Sequence, residues 1–137
     1  MATDVERALR GMVRTGTVSA VYPERDTARV TFDDKDSTSS PELHIMHRFS
    51  GKNKDYWVPD IGDQAVCLFA NNDKNFSTGW ILGSYFTDKH PPQAASADVM
   101  RLDFADGSYI EYDRGSSTLT VNVTGAIIIK GATINLN

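Results

Sequence analysis

The last third of the sequence, residues 100–137, alternates apolar and polar side chains in short runs that Gly, Asp and Ser separate. A period of two is typical of short β-strands joined by tight turns. From Gly115 onward, ten of the 23 residues are β-branched and Lys130 is the one charged residue. The segment therefore favours strand geometry and burial, and it predicts a stack of short strands with one apolar face.

No helical pattern within residues 100–137 would cover this apolar face. Short strands with an open face are marginally stable alone, and units that cannot bury their own face associate with other units. We expect an intertwined β-prism of three chains, and the alternative is an ordinary β-meander folded back on the N-terminal domain. The expected interface residues are Leu102, Phe104, Ile110, Tyr112, Leu119, Val121, Val123, Ile127, Ile129, Ile134 and Leu136.

The composition is that of a foldable chain of 137 residues, with 40% hydrophobic and 23% charged residues. A net charge of -4 argues against a nucleic-acid-binding protein, which normally carries a basic patch for phosphates. No apolar run approaches the ~18 residues of a membrane span, and no signal-peptide pattern opens the sequence. We therefore expect the chain to be made and kept in a cytosol.

Residues 1–13 predict a short helix, because Thr3 and Glu6 have the spacing of a capping box. Val5, Leu9 and Met12 would share one face of this helix. The segment is interpreted either as a frayed N-terminal arm or as a helix that docks on a neighbouring subunit.

Residues 14–86 predict five short strands without a long helix between them, which favours a small closed barrel of the OB type. Trp57, Pro59 and Gly62 form a turn-rich corner and are interpreted as structural residues. Residues 87–99 contain Pro91-Pro92 and predict an extended linker to the C-terminal strands of residues 100–137.

Catalytic residues, metal ligands and cofactors are not expected. His44 and His47 are three positions apart in a predicted strand over residues 43–49, so they would point to opposite faces. Cys67 lies in an apolar run and is interpreted as a core residue. The nucleophile elbow and the glycine-rich phosphate loop are both missing from the sequence, and the acids of the 33–42 loop are interpreted as solvated. These acids are Asp33, Asp34, Asp36 and Glu42.

Four elements with a recognisable pattern follow one another between residues 14 and 123. They are the pair Gly16-Thr-Val-Ser-Ala-Val and Ala28-Arg-Val-Thr-Phe, then Tyr56-Trp-Val-Pro-Asp-Ile-Gly-Asp-Gln-Ala-Val, Gly79-Trp-Ile-Leu-Gly-Ser-Tyr-Phe and Asp106-Gly-Ser-Tyr-Ile-Glu-Tyr-Asp. In this order they resemble the phage baseplate assembly protein V family, the spike proteins of contractile tails. On this resemblance Gly79, Leu82 and Gly83 join Trp57, Pro59 and Gly62 as a structural motif of the OB domain.

The resemblance implies an all-β homotrimer, in which an OB-like five-stranded barrel precedes a short triple-stranded β-helix. Such a trimer would plug the tail tube at the centre of a baseplate, contact hub and tail-tube proteins, and pierce the target cell envelope on contraction. Some family members end in a His-x-His metal tip, and this pattern does not follow Gly115 here. A separate tip-capping protein is therefore among the expected partners. The alternatives are a non-piercing hub adaptor of the same fold and an OB-fold module that binds nucleic acid.

Overall fold

The computed structural model describes residues 3–34, 38–70 and 78–137, and the chain divides into two compact units, Met1–Lys89 and His90–Asn137. In these described ranges, the first unit contains one α-helix and five strands, and the second contains three strands. Their bounds are α1 Asp4–Met12, β1 Val13–Tyr22, β2 Thr27–Phe32, β3 Leu43–Ile45, β4 Gln64–Phe69, β5 Gly79–Gly83, β6 Val99–Asp103, β7 Tyr109–Asp113 and β8 Thr118–Asn122.

Helix α1 begins where the sequence supplies a cap and passes into β1 without a loop. The Thr3 hydroxyl accepts a hydrogen bond from the Glu6 amide at 3.1 Å, which satisfies a free donor of the first turn. Three apolar residues of the helix are exposed, by 69% at Val5, 63% at Leu9 and 36% at Met12. Within the described chain, α1 therefore presents an uncovered apolar stripe.

The five strands of the first unit close into a barrel in the order β1-β2-β3-β5-β4. Strand β1 pairs antiparallel with both β2 and β4, and β3 pairs parallel with β5. A register shift between Val18 and Ala20 bends β1, as a bulge does at barrel corners. The prediction of an all-β protein with a five-stranded OB-like barrel is confirmed.

The barrel core follows from the alternation along its strands. In β4, Ala65, Cys67 and Phe69 are buried, whereas the residues between them are partly exposed. The rings of Phe32 and Phe69 meet edge to face at 5.7 Å between centroids. The buried hydrophobic residues are Val18, Ala28, Val30, Phe32, Leu43, Ile45, Ala65, Cys67, Phe69 and Ile81.

The predicted third strand is wrong in its length, since β3 ends at Ile45 and not at residue 49. Beyond Ile45 the chain turns, and the Met46 carbonyl accepts a hydrogen bond from Trp57 Nε1 at 3.1 Å. Trp57 itself is partly buried and packs against the core. The Trp57 side chain therefore donates to the Met46 carbonyl where the backbone amide of a neighbouring strand would otherwise do so.

The same corner is set by backbone conformation. Pro59 is buried, and Gly62 has a φ of 100°, a region that L side chains rarely adopt. The Gly62 amide donates to the Val18 carbonyl at 2.9 Å, and the Val18 amide donates to the Asp63 carbonyl at 2.9 Å. These two bonds tie the turn before β4 to the bulge of β1.

Gly79 lies where two strands of the barrel approach closely. A Cβ at this position would come within 2.6 Å of Phe69 Cδ1 and 2.9 Å of the Leu68 carbonyl oxygen. A Cβ at Gly83, on the same strand, meets none of the described atoms within 4 Å. The start of β5 therefore requires glycine for steric reasons, and the end of β5 does not.

Replacing Gly79 by Ala should destabilise the barrel, because the core ring of Phe69 has to move to admit the methyl group. We expect a loss of about 1–3 kcal/mol in the free energy of unfolding, measured by denaturant titration. The matched control is Gly83→Ala, which should change this free energy by less than about 0.5 kcal/mol. Equal effects of the two substitutions would contradict the close approach at Gly79.

Candidate functional site

The three-stranded sheet of the second unit, in the order β6-β7-β8, carries an apolar face. Its register aligns six apolar side chains in two cross-strand rows, which we call the apolar rows. The first row is Met100, Tyr112 and Leu119, and the second is Leu102, Ile110 and Val121. All six are exposed, by fractions from 37% at Ile110 to 79% at Met100. This is a continuous apolar surface of the kind that marks an interaction site.

The opposite face of this sheet is polar, and Arg101 pairs with two of its three carboxylates. Arg101 Nε donates to Asp103 Oδ1 at 2.9 Å, and a second guanidinium nitrogen donates to Glu111 Oε1 at 3.1 Å. The guanidinium carbon also lies 3.7 Å from the centroid of the Tyr109 ring. The hydrogen bond with Asp103 is the largest cause that raises the pKa of Arg101. The polar face is therefore satisfied within the chain.

The two faces of the sheet differ in whether they are stable in contact with water. A paired, solvated polar face is stable in water as it stands, whereas the apolar rows gain free energy only when water is removed from them. Because side chains point alternately to the two faces of a strand, one strand register determines both the polar face and the apolar rows. A sheet of this kind can bury one face only.

Other residues predicted at the interface also lie in the second unit, and most of them are exposed. Phe104 follows the last residue of β6 and is 54% exposed, and Val123 follows β8. The remainder lie in segment 125–137, which carries no assigned strand, and are exposed by 52% or more: Ile127, Ile129, Ile134 and Leu136. The structure therefore places all eleven predicted residues in one unit, mostly in solvent.

Sequence reasoning missed Met100, which lies opposite Tyr112 in the first row. The signal was present, because Met100 stands two positions before Leu102 and strand side chains repeat every two residues. It also missed Arg101 as the centre of the polar face. That role depends on Glu111 lying directly across from it, which is a property of the register.

A second polar arrangement lies at the turn between β6 and β7. Asp106 Oδ1 accepts a hydrogen bond from the Ser108 amide at 2.9 Å, and Asp106 Oδ2 accepts one from Thr124 Oγ1 at 3.2 Å. The Thr124 amide donates to Ser108 Oγ at 3.1 Å, and Ser108 is 6% exposed. Hydrogen bonds from Ser108, first from its amide and then from its hydroxyl, lower the pKa of Asp106. Three side chains from two distant parts of the chain are thus joined.

The histidines and the cysteine of the first unit, which are possible metal ligands or nucleophiles, lie apart from one another. His44 is exposed on β3, whereas the His47 side chain is buried and its Nε2 lies 2.9 and 3.0 Å from the two Asp26 carboxylate oxygens. Cys67 is buried in the barrel, and this burial raises the pKa of its thiol to about 11. Within residues 3–34, 38–70 and 78–137, no group of three or more His, Cys, Asp or Glu side chains is placed to hold a metal ion.

The acids of the 33–42 loop take part in structural contacts. Asp33 Oδ2 accepts a hydrogen bond from Thr15 Oγ1 at 2.9 Å, and Glu42 Oε1 accepts one from Arg25 Nε at 2.8 Å. The bond from Arg25 is the largest cause that lowers the pKa of Glu42. Asp36 lies outside the described residues. The carboxylates of Asp33 and Glu42 thus form hydrogen bonds on the surface of the barrel.

Among the described residues, none of the helices has the length and apolar character needed to cross a membrane.

Comparison with known proteins adds two findings. Residues 14–86, which are more than half of the chain, match the family model described as the type VI secretion system/phage-baseplate injector OB domain. A curated spike protein of Escherichia phage P2 is 29% identical over 119 residues, which are 87% of this chain and 54% of that protein. The chain thus spans about half the length of this relative. The matched range of the family model covers the five strands of the barrel except for Val13, the first residue of β1.

The hydrogen bonds to Asp106 predict a stability that depends on pH. Because its pKa is lower in the folded chain, Asp106 contributes stability above its ordinary carboxyl range, and this contribution is lost as the pH falls below about 4. We expect thermal unfolding of the second unit to shift less between pH 6 and pH 3 in Asp106→Asn than in the wild-type chain. The charge-matched control is Asp88→Asn, at an exposed carboxylate of the first unit, which should leave the pH shift of the second unit as in the wild-type chain. An unchanged pH shift in Asp106→Asn would contradict the interpretation.

Proposed function

Because the chain belongs to the family of type VI secretion system and phage-baseplate injector OB domains, we propose that it is a structural protein of a baseplate, in which three copies form a central spike. The barrel of residues 14–86 would form a collar, and residues 100–137 of the three copies would wind into a short triple-stranded β-helix. Residues 1–13 would be an N-terminal arm and residues 87–99 a linker.

The observation that carries this proposal is the exposure of the apolar rows together with the paired polar face behind them. Full burial of one large apolar side chain contributes about 1.5–3 kcal/mol, so six such side chains on each copy provide a strong drive to associate. A threefold arrangement with the apolar rows turned inward would cover all three faces and leave each polar face in water. Closed symmetry of this kind is the usual solution for identical chains.

The exposed residues of segment 125–137 fit the same arrangement. Ile127 and Ile129, like Ile134 and Leu136, are two positions apart, as strands with one inward face require. In an intertwined prism the strand edges would be paired between copies, and few open edges would remain for aggregation. The proposed interface is therefore made of all the residues predicted for it from the sequence, with Met100 added.

The spike would act mechanically. It would plug the tail tube, contact hub and tail-tube proteins, and be driven against the target cell envelope when the sheath contracts. The phage P2 relative is named a spike protein, which supports this role. A separate protein would cap the tip, and assembly would take place in the bacterial cytoplasm before the trimer enters the baseplate. The spike would require neither a substrate nor a cofactor.

The purified chain should have a solution mass of about 45 kDa, three times the 15.1 kDa of one copy. Light scattering coupled to size exclusion measures this mass, and it should persist on dilution to low micromolar concentration. A stable species near 15.1 kDa under these conditions would contradict the trimer.

The substitution Ile110→Asp tests which face associates, because Ile110 occupies the central strand of the apolar rows. A carboxylate buried there without a partner costs several kcal/mol, so we expect the variant to be a monomer with an intact barrel. The charge-matched control is Asn122→Asp, which lies opposite Tyr109 on the polar face and should remain trimeric. A trimeric Ile110→Asp chain would show that the apolar rows are not the interface.

A further inference from the structure

We infer that Asp106, Ser108 and Thr124 form a clamp that fixes the direction in which the chain leaves β8, and so presents segment 125–137 in one orientation for assembly. This inference rests on the proposed function for the purpose of the clamp, but the clamp itself stands on bonds within one chain. It would make these three residues positioning residues of the spike.

The clamp starts from a tight turn. The Phe104 amide donates to the Ser108 carbonyl at 2.9 Å, and the Gly107 amide donates to the Phe104 carbonyl at 3.1 Å. The Asp106 carboxylate then accepts from the Ser108 amide, as aspartate does in turns of this kind. The turn between β6 and β7 is thereby rigid and holds its carboxylate and its hydroxyl in fixed positions.

The register brings the end of β8 to this turn. Asn122, the last residue of β8, pairs with Tyr109, the first residue of β7. Thr124 therefore passes beside the turn and makes two bonds to it, one through its amide and one through its hydroxyl. Both bonds together fix the position of the backbone and of the side chain at this residue.

The chain beyond Thr124 has a different character. Gly125 follows directly, and a Cβ built on it meets none of the described atoms within 4 Å. From there to Asn137 every residue is exposed. Thr124 is thus the point at which a segment anchored by side-chain hydrogen bonds passes into one that lies in solvent.

The physical consequence is preorganisation. A segment that leaves β8 in one direction loses less conformational entropy when three copies associate than one that samples many directions. Hydrogen bonds to a charged group are among the stronger ones in proteins, so a carboxylate at Asp106 suits this purpose better than a neutral group. The clamp would therefore raise the association constant without adding a contact between copies.

The test compares Thr124→Val with Thr120→Val in the full-length chain. Both substitutions replace a β-branched hydroxyl side chain of similar volume, but Thr120 lies on the polar face across from Glu111 and not at the clamp. We expect Thr124→Val to raise the concentration at which the assembly dissociates by about tenfold, as the loss of one charged hydrogen bond predicts. Thr120→Val should shift it by less than about twofold. If the Thr124→Val and wild-type assemblies dissociate at the same concentration, the inference is overturned.

A second measurement tests the clamp without reference to assembly. In Ser108→Ala the Thr124 amide loses its acceptor, so its hydrogen exchange followed by NMR should accelerate by about tenfold, while the amides within β8 keep their rates. A wild-type exchange rate at Thr124 in this variant would overturn the clamp even if the chain is trimeric. Conversely, a wild-type chain that is monomeric at all concentrations would refute the proposed spike, while the exchange rate would still decide whether the clamp exists.

Discussion

The removal of water from one face of a three-stranded sheet is the interaction on which the proposed spike depends. The apolar rows of β6, β7 and β8 lie in solvent in the single chain, and the polar face behind them is already closed by Arg101 and its two carboxylates. When the polar side chains of one face are already paired and the apolar side chains of the other lie in water, the sheet favours association through its apolar face. In the proposed spike, this difference between the two faces would determine which side of each copy meets its partners.

The two units of the chain achieve stability by different means. The barrel of the first unit buries a core of its own, since its strands close on themselves and their alternate side chains meet inside. The strands of the second unit pair in continuous antiparallel register, but this unit has no buried apolar core within the chain. This division suits a protein in which one part is a folded module and the other becomes fully stable only in an assembly.

Local patterns made much of this structure predictable from the sequence. The cap at Thr3 and the turn at Gly62 depend on residues close together in the chain, and the sequence predicts both of them. Contacts between distant residues could not be predicted in this way. The parallel pairing of β3 with β5, the early end of β3 at Ile45 and the bonds between Asp106 and Thr124 depend on how far-separated segments meet. Neither composition nor periodicity carries that information.

The passage of α1 directly into β1 has a mechanical consequence. Asp4–Met12 and Val13–Tyr22 are consecutive, so tension applied along the helix axis reaches β1 without a slack connection to absorb it. Strand β1 is bonded to β4 over residues 13–17 and to β2 over residues 16–22, and the bonds of antiparallel pairs lie perpendicular to the strands. Such a pull loads many hydrogen bonds in shear at once, whereas a pull across the sheet would break them one after another. The barrel is thus built to resist force along the strand that its helix extends.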